Sequence, residues 1–101
     1  MFDKAKQLYQ LQKKAKQVQK ELKSTEVEAK STDGLVTVVL SADQKIKSIE
    51  IDDSLMTPER KRELQEKTVR VISEGLSRAQ AVAAEKTKGL MGEMGLNIPG
   101  M

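Results

Sequence analysis

The chain has 101 residues and a net charge of +3, with one third of its residues charged and a single Tyr and a single Phe as its aromatics. That length encodes one small domain, and its core must come from Val, Ile, Leu, Ala and Met. Neither Cys nor His occurs, which excludes disulfides, thiolate nucleophiles, Cys-based metal sites and imidazole acid–base chemistry. The N-terminus lacks the apolar stretch of a signal peptide and no run of 18 apolar residues occurs, so the expectation is a cytoplasmic protein with no membrane association.

The first 24 residues follow one amphipathic helical pattern. Leu8, Leu11, Ala15, Val18 and Leu22 alternate spacings of three and four, the a/d seam of a heptad repeat that seeks a partner helix. Lys6, Lys13, Lys16, Lys20 and Lys23 fall on one contiguous stripe away from that seam. The periodicity then changes to alternation. Val27 and Ala29 between Glu26, Glu28 and Lys30 read as a short strand, and Thr32-Asp33-Gly34 supplies a tight hairpin turn. Residues 35–40 are apolar on both parities except at Thr37, which predicts a central strand needing cover on both faces. Ala42-Asp43-Gln44 is a weaker turn into a third strand over residues 46–51. There Ile49 and Ile51 share a face and Ile46 is out of phase, which predicts a bulge.

Thr57-Pro58-Glu59 carries a hydroxyl N-cap, a proline at the first helical position and an acid at the positive helix end, so a second long helix is expected from there to about Lys88. Its apolar arc collects Leu64, Val71, Ile72, Leu76, Ala79, Val82 and Ala83, and its other side mixes Lys67, Arg70 and Arg78 with Glu63, Glu66, Glu74 and Glu85. Residues 89–101 hold four of the six glycines and Pro99, and read as a flexible tail in which Leu90, Met91, Met94, Leu96 and Ile98 offer docking points. The expected fold is α+β: a long N-terminal helix, a three-stranded antiparallel sheet and a long C-terminal helix, with residues 1–88 as the domain and 89–101 as the tail. A helix of that length outruns six-residue strands and must overhang the sheet. A two-fold copy of the chain would cover the exposed seam and the central strand. The expected dimer interface is therefore Leu8, Leu11, Ala15, Val18, Leu22, Val36 and Val38, with the helices protruding as arms.

The small net charge conceals polarisation. Residues 1–24 carry seven Lys against two acids, residues 25–59 three Lys against eight acids, and residues 60–101 eight basic against five acidic residues. A basic helix joined to an acidic middle suggests a polyanionic partner. Stiffly spaced lysines neutralise phosphates and release counterions without reading sequence. Two aromatics provide no base-stacking platform of the kind that single-strand and RNA binders use, so duplex DNA is the expected partner. Enzyme chemistry would have to rest on carboxylates, Ser, Thr, Lys or Tyr9. Glu50, Asp52 and Asp53 form the one acidic cluster, and its plainer reading is a solvent-facing strand end followed by a turn. No Gly-rich phosphate loop is present. No catalysis, cofactor, metal or small-molecule substrate is expected.

Gly34-Leu35-Val36-Thr37-Val38, Ile49-Glu50-Ile51-Asp52-Asp53-Ser54-Leu55 and Gly95-Leu96-Asn97-Ile98-Pro99-Gly100 together resemble the YbaB/EbfC family of bacterial nucleoid-associated proteins, in the right order over nearly the whole chain. Two departures touch turn geometry: Asp53 stands where the family usually has proline, and Ala42-Asp43-Gln44 replaces a commoner Asn-Gly-type turn. The resemblance implies a small α/β homodimer with tweezer-like arms that binds DNA in the bacterial cytoplasm and nucleoid and alters its conformation. It does not identify phosphate contacts. From charge and spacing, Lys6, Lys13, Lys16, Lys20 and Lys23 are the first-rank DNA-binding residues, and Arg60, Lys61, Arg62, Lys67 and Arg70 the second. The competing expectation is a dimeric protein-interaction or chaperone-like module whose arms clasp a client through Leu8, Leu11 and Val18.

Overall fold

The computed structural model describes residues 2–93. Helix α1 (Phe2–Ser24) leads into strands β1 (Glu26–Lys30), β2 (Val36–Ser41) and β3 (Ile46–Ile51). Two single 3-10 turns, Asp53–Leu55 and Pro58–Arg60, then precede helix α2 (Lys61–Glu93). The strands form an antiparallel meander in the order β1-β2-β3, which places the doubly apolar β2 at the centre. Thus the expected α-β-β-β-α architecture is the observed one.

The two hairpin turns use different devices. In the first, Gly34 takes φ 74°, the left-handed conformation that costs glycine nothing because it has no Cβ. The Asp33 carboxylate stiffens this turn by accepting from the Ser31 hydroxyl at 2.7 Å and from the Leu35 amide at 3.1 Å. In the second, Gln44 is left-handed at φ 69°, where a side chain is strained. The Ser41 hydroxyl, on a buried residue, donates to Asp43 there. The expected bulge lies in β3: the pairing steps from Val39↔Ser48 to Leu40↔Ile46, leaving Lys47 as the extra residue. The bulge brings Ile46 to the same sheet face as Ile49 and Ile51, which pair with Val38 and Val36.

Helix α2 crosses β1 and β2 on one face of the sheet. The core beneath it consists of Ala29, Val36, Val38, Leu40, Leu55 and Val71, with Leu35, Leu64, Ile72 and Leu76 packed around them. Gly75 permits the closest approach: a Cβ there would lie 2.5 Å from Cδ1 of Leu40, a side chain with no exposed surface. A smaller cluster of Val27, Ala42 and Ala79 receives Leu22 and Val82 and ties the end of α1 to the sheet and α2. Two hydrogen bonds from the Ala42 amide, to Leu22 O at 3.1 Å and Thr25 O at 2.9 Å, fix the same junction.

Three expectations need correction. Val36 and Val38, assigned to a dimer interface, are fully buried within the single chain; they lie on the β2 face that α2 covers and so are core residues of the protomer. The N-terminal cap of the second helix is looser than expected, because Thr57 makes no side-chain capping hydrogen bond and Pro58–Arg60 is 3-10 before α2 begins at Lys61. Finally, α2 runs through Gly89 and Gly92 to Glu93. An interior glycine costs a helix only about 1 kcal/mol, and a glycine ends a helix by turning left-handed, which among the described glycines only Gly34 does. The remaining tail expectations, including Met94, Leu96 and Ile98, fall outside the described residues.

The other face of β2 shows Thr37 and Val39, both half-buried. Across them stand the ion pairs Lys47–Glu26 at 3.8 Å and, along β1, Lys30–Glu28 at 3.4 Å. The long stems of these side chains shield the central residues while their charges stay in water.

Candidate nucleic-acid interface

At 1.5 Å per residue the 23 residues of α1 extend about 34 Å, and its last turn makes the junction with the sheet. The molecule is correspondingly elongated, 68 × 26 × 15 Å with a radius of gyration of 18.9 Å, against about 13 Å for a compact chain of this length. Leu11, Ala15, Val18 and Leu22 are half-buried, whereas Leu8, at the outer end of the seam, is 61% exposed. Leu22 of α1 and Val82 of α2 pack on the same cluster of Val27, Ala42 and Ala79, and Lys86 of α2 pairs with Glu21 at 3.6 Å. The inner end of the seam is thus occupied by α2.

Lys6, Lys13, Lys16, Lys20 and Lys23 are all exposed. Among the described residues none of the five enters an ion pair within 4 Å. Their charge is therefore not neutralised internally, and it is presented along one face of a stiff rod. Tyr9, 67% exposed, stands on the same face, a position that its spacing of three from Lys6 and four from Lys13 on a helix already fixes.

The second-rank residues divide. Arg60 donates through Nε and Nη2 to Glu63 at 2.9 and 2.8 Å, and through Nη1 to the Ser54 carbonyl at 3.1 Å. Lys67 pairs with Asp33, and with Glu63 at 3.6 Å. Together they clamp the first hairpin and the β3 exit to the start of α2. The Lys67 and Ser31 hydrogen bonds hold the Asp33 carboxyl far below the usual carboxylate range, and Arg60 lowers Glu63 in the same way. Asp33 reciprocally raises the Lys67 ammonium, and Glu63 raises Arg60. Arg62 pairs with Glu66 at 3.5 Å. Lys61 and Arg70 are exposed and make no ion pair among the described residues. Lys67 lies fifteen residues before Val82, about 22 Å along α2, so this second group is not continuous with the α1 stripe.

The acidic middle of the chain also has a place. Glu26, Glu28 and Glu50 occupy the sheet face opposite α2. Asp52 caps the first 3-10 turn by accepting from the Ser54 amide at 2.9 Å, and its hydrogen bonds with Ser54 lower its carboxyl. No group of three or more acidic side chains arranged to hold a metal ion occurs among the described residues. Nor is any described helix long and apolar enough to cross a membrane.

A profile of the YbaB/EbfC DNA-binding family matches residues 1–94. The chain belongs to this family. A nucleoid-associated protein of Afipia carboxidovorans is 38% identical over 96 residues, covering 95% of this chain and 90% of that one. Another, of Nitrobacter hamburgensis, is 40% identical over 91 residues, covering 90% and 86%. The crystal structure of an uncharacterized Helicobacter pylori protein superposes with a TM-score of 0.69 at 26% identity, covering 86% of this chain and 87% of that one. The resemblance read from the motifs is thereby confirmed. In this YbaB/EbfC chain the motif residues that the structure describes serve the fold. Gly34 makes the turn, Asp52 caps the strand exit and Leu55 is fully buried in the core. The motif over residues 95–100 falls outside the described residues.

Proposed function

We propose that the chain binds duplex DNA as a homodimer, grips it mainly through phosphate contacts and alters its path, as a nucleoid-associated protein of the bacterial cytoplasm. The observation that carries this reading is the stripe of Lys6, Lys13, Lys16, Lys20 and Lys23, exposed and in no ion pair among the described residues, on an arm that stands off the sheet. Membership of a DNA-binding family and the names of the relatives support it. Lysine on a stiff helix neutralises a row of phosphates while reading little sequence. No bond is made or broken, and no cofactor is involved.

The dimer reading rests on a surface that one chain leaves uncovered. Because α2 lies over β1 and β2, Ile46, Ile49 and Ile51 on β3 are 45%, 42% and 36% exposed, on a strand whose outer edge pairs with nothing among the described residues. Exposed apolar edge strands promote association unless covered. A second copy would cover this edge and place two lysine arms on one duplex, where the second contact gains from high local concentration.

The test is the affinity for a random-sequence duplex across a series of salt concentrations. With about 0.9 counterions released per phosphate contact, a log–log slope of roughly −3 to −6 is expected. The variant Lys13→Glu/Lys16→Glu/Lys20→Glu should lose binding while remaining folded. A flat slope, or a variant that binds like the wild type, would overturn the assignment and turn attention to the protein-interaction alternative.

A further inference from the structure

Among the described side chains of α1, Tyr9 is an aromatic with 67% of its surface exposed. Successive residues turn about 100° around a helix, which puts Tyr9 near the middle of the arc that runs from Lys6 to Lys23, an arc only about 100° wide. Its neighbours on that face are Lys6 three residues before, Gln12 three after and Lys13 four after, with Cβ separations of about 5–6 Å. The half-buried Leu11, Ala15 and Val18 lie on the opposite side. The ring therefore adds nothing to the core of the protomer.

We propose that Tyr9 is a DNA-contacting residue, its phenol O–H donating to a phosphate oxygen and its ring lying against the adjoining deoxyribose. The inference rests on the DNA-binding reading above and adds to it a neutral contact at the centre of the charged face. Lys6 and Lys13 sit on either side of Tyr9 along the helix. When both ammonium groups rest on phosphates, the phenol is held at the level of the sugar–phosphate backbone between them. A phenol can donate a hydrogen bond without carrying charge, so it secures the position of the helix and leaves counterion release to the lysines. The flat ring brings apolar area with few rotatable bonds, which limits the entropy lost on ordering it.

The chain has no Trp and this single Tyr, so the intrinsic fluorescence of the whole protein reports on Tyr9. Titration with a random-sequence duplex, corrected for duplex absorbance, should change that emission in parallel with the anisotropy of a labelled duplex. Tyr9→Phe should bind about two- to tenfold more weakly, the effect of one net hydrogen bond, and Tyr9→Ala more weakly still. Both should keep the wild-type salt slope and circular dichroism, which separates loss of a neutral contact from loss of a lysine. If the wild type binds with a steep salt slope while both variants match it and Tyr9 emission stays constant, the Tyr9 contact is wrong and the DNA-binding reading stands. Emission that responds to protein concentration and not to DNA overturns it equally, by placing Tyr9 between copies of the chain. A wild type that binds no duplex at low salt removes the functional reading, and this contact with it.

Discussion

At the scale of single residues, two positions carry most of the conformational and electrostatic information. Gln44 holds φ 69° in the β2–β3 turn, where an L side chain costs about 1–2 kcal/mol. Glycine would relieve this cost and lose part of the gain to the freer unfolded chain. Gln44→Gly should therefore raise stability by about 0.5–1 kcal/mol, read as a higher urea midpoint; a lower midpoint would show that the exposed side chain contributes something the geometry does not reveal. Asp33 joins the first hairpin to Lys67 of α2. Asp33, Asp52 and Glu63 are all held below their ordinary values, so the folded chain binds fewer protons in acid than the unfolded one. Their stabilisation is present above the unfolded carboxylate values of about 4 and is lost as the pH falls through the lowered folded values. The melting temperature should fall steadily from about pH 5 downward, in the range set by those unfolded values. Asp33→Asn should melt lower at pH 7 and decline less steeply in acid. An acid profile unchanged by Asp33→Asn would mean that the clamp contributes nothing to stability.

At the scale of elements, α2 is the organiser. Its contact with the sheet depends on Gly75, which lets the helix backbone approach Leu40. A larger side chain would meet a Leu40 that has no exposed surface and nowhere to move. Gly75→Leu should cost at least about 2 kcal/mol by overpacking, measured by urea unfolding, whereas an unaffected midpoint would mean that the helix–sheet spacing is adjustable. The same element explains why the basic residues of α2 differ from those of α1. Arg60 and Lys67 are absorbed into holding turns against the helix start, while Lys6, Lys13, Lys16, Lys20 and Lys23 of α1 face solvent and make no ion pair among the described residues. Counting charges along the chain could not separate these two uses.

At the scale of the whole molecule, one chain leaves β3 unsatisfied. Its isoleucines are exposed and its outer edge is unpaired among the described residues, although the rest of the sheet is covered by α2 or laced with ion pairs. The proposed homodimer predicts that Ile49→Asp/Ile51→Asp, a change at exposed positions, should give a monomer in sedimentation equilibrium with unaltered circular dichroism. Weaker DNA binding should follow from the loss of the second arm; a variant that stays dimeric would move the interface elsewhere, with Leu8 and the outer α1 seam next in line. The element order, the bulge in β3, the lysine stripe and the family were legible in the sequence because each is written in local periodicity or in short motifs. A spacing of three and four, an alternation of two and an Asp-Gly pair act through neighbours only a few residues away. Which face of β2 is sealed, which cations are tied up in ion pairs and which strand is left bare depended on where α2 lies across the sheet. That placement was decided by tertiary packing, because it brings Asp33 to Lys67 and Leu40 to Gly75, residues more than thirty positions apart whose pairing leaves no periodic trace in the chain.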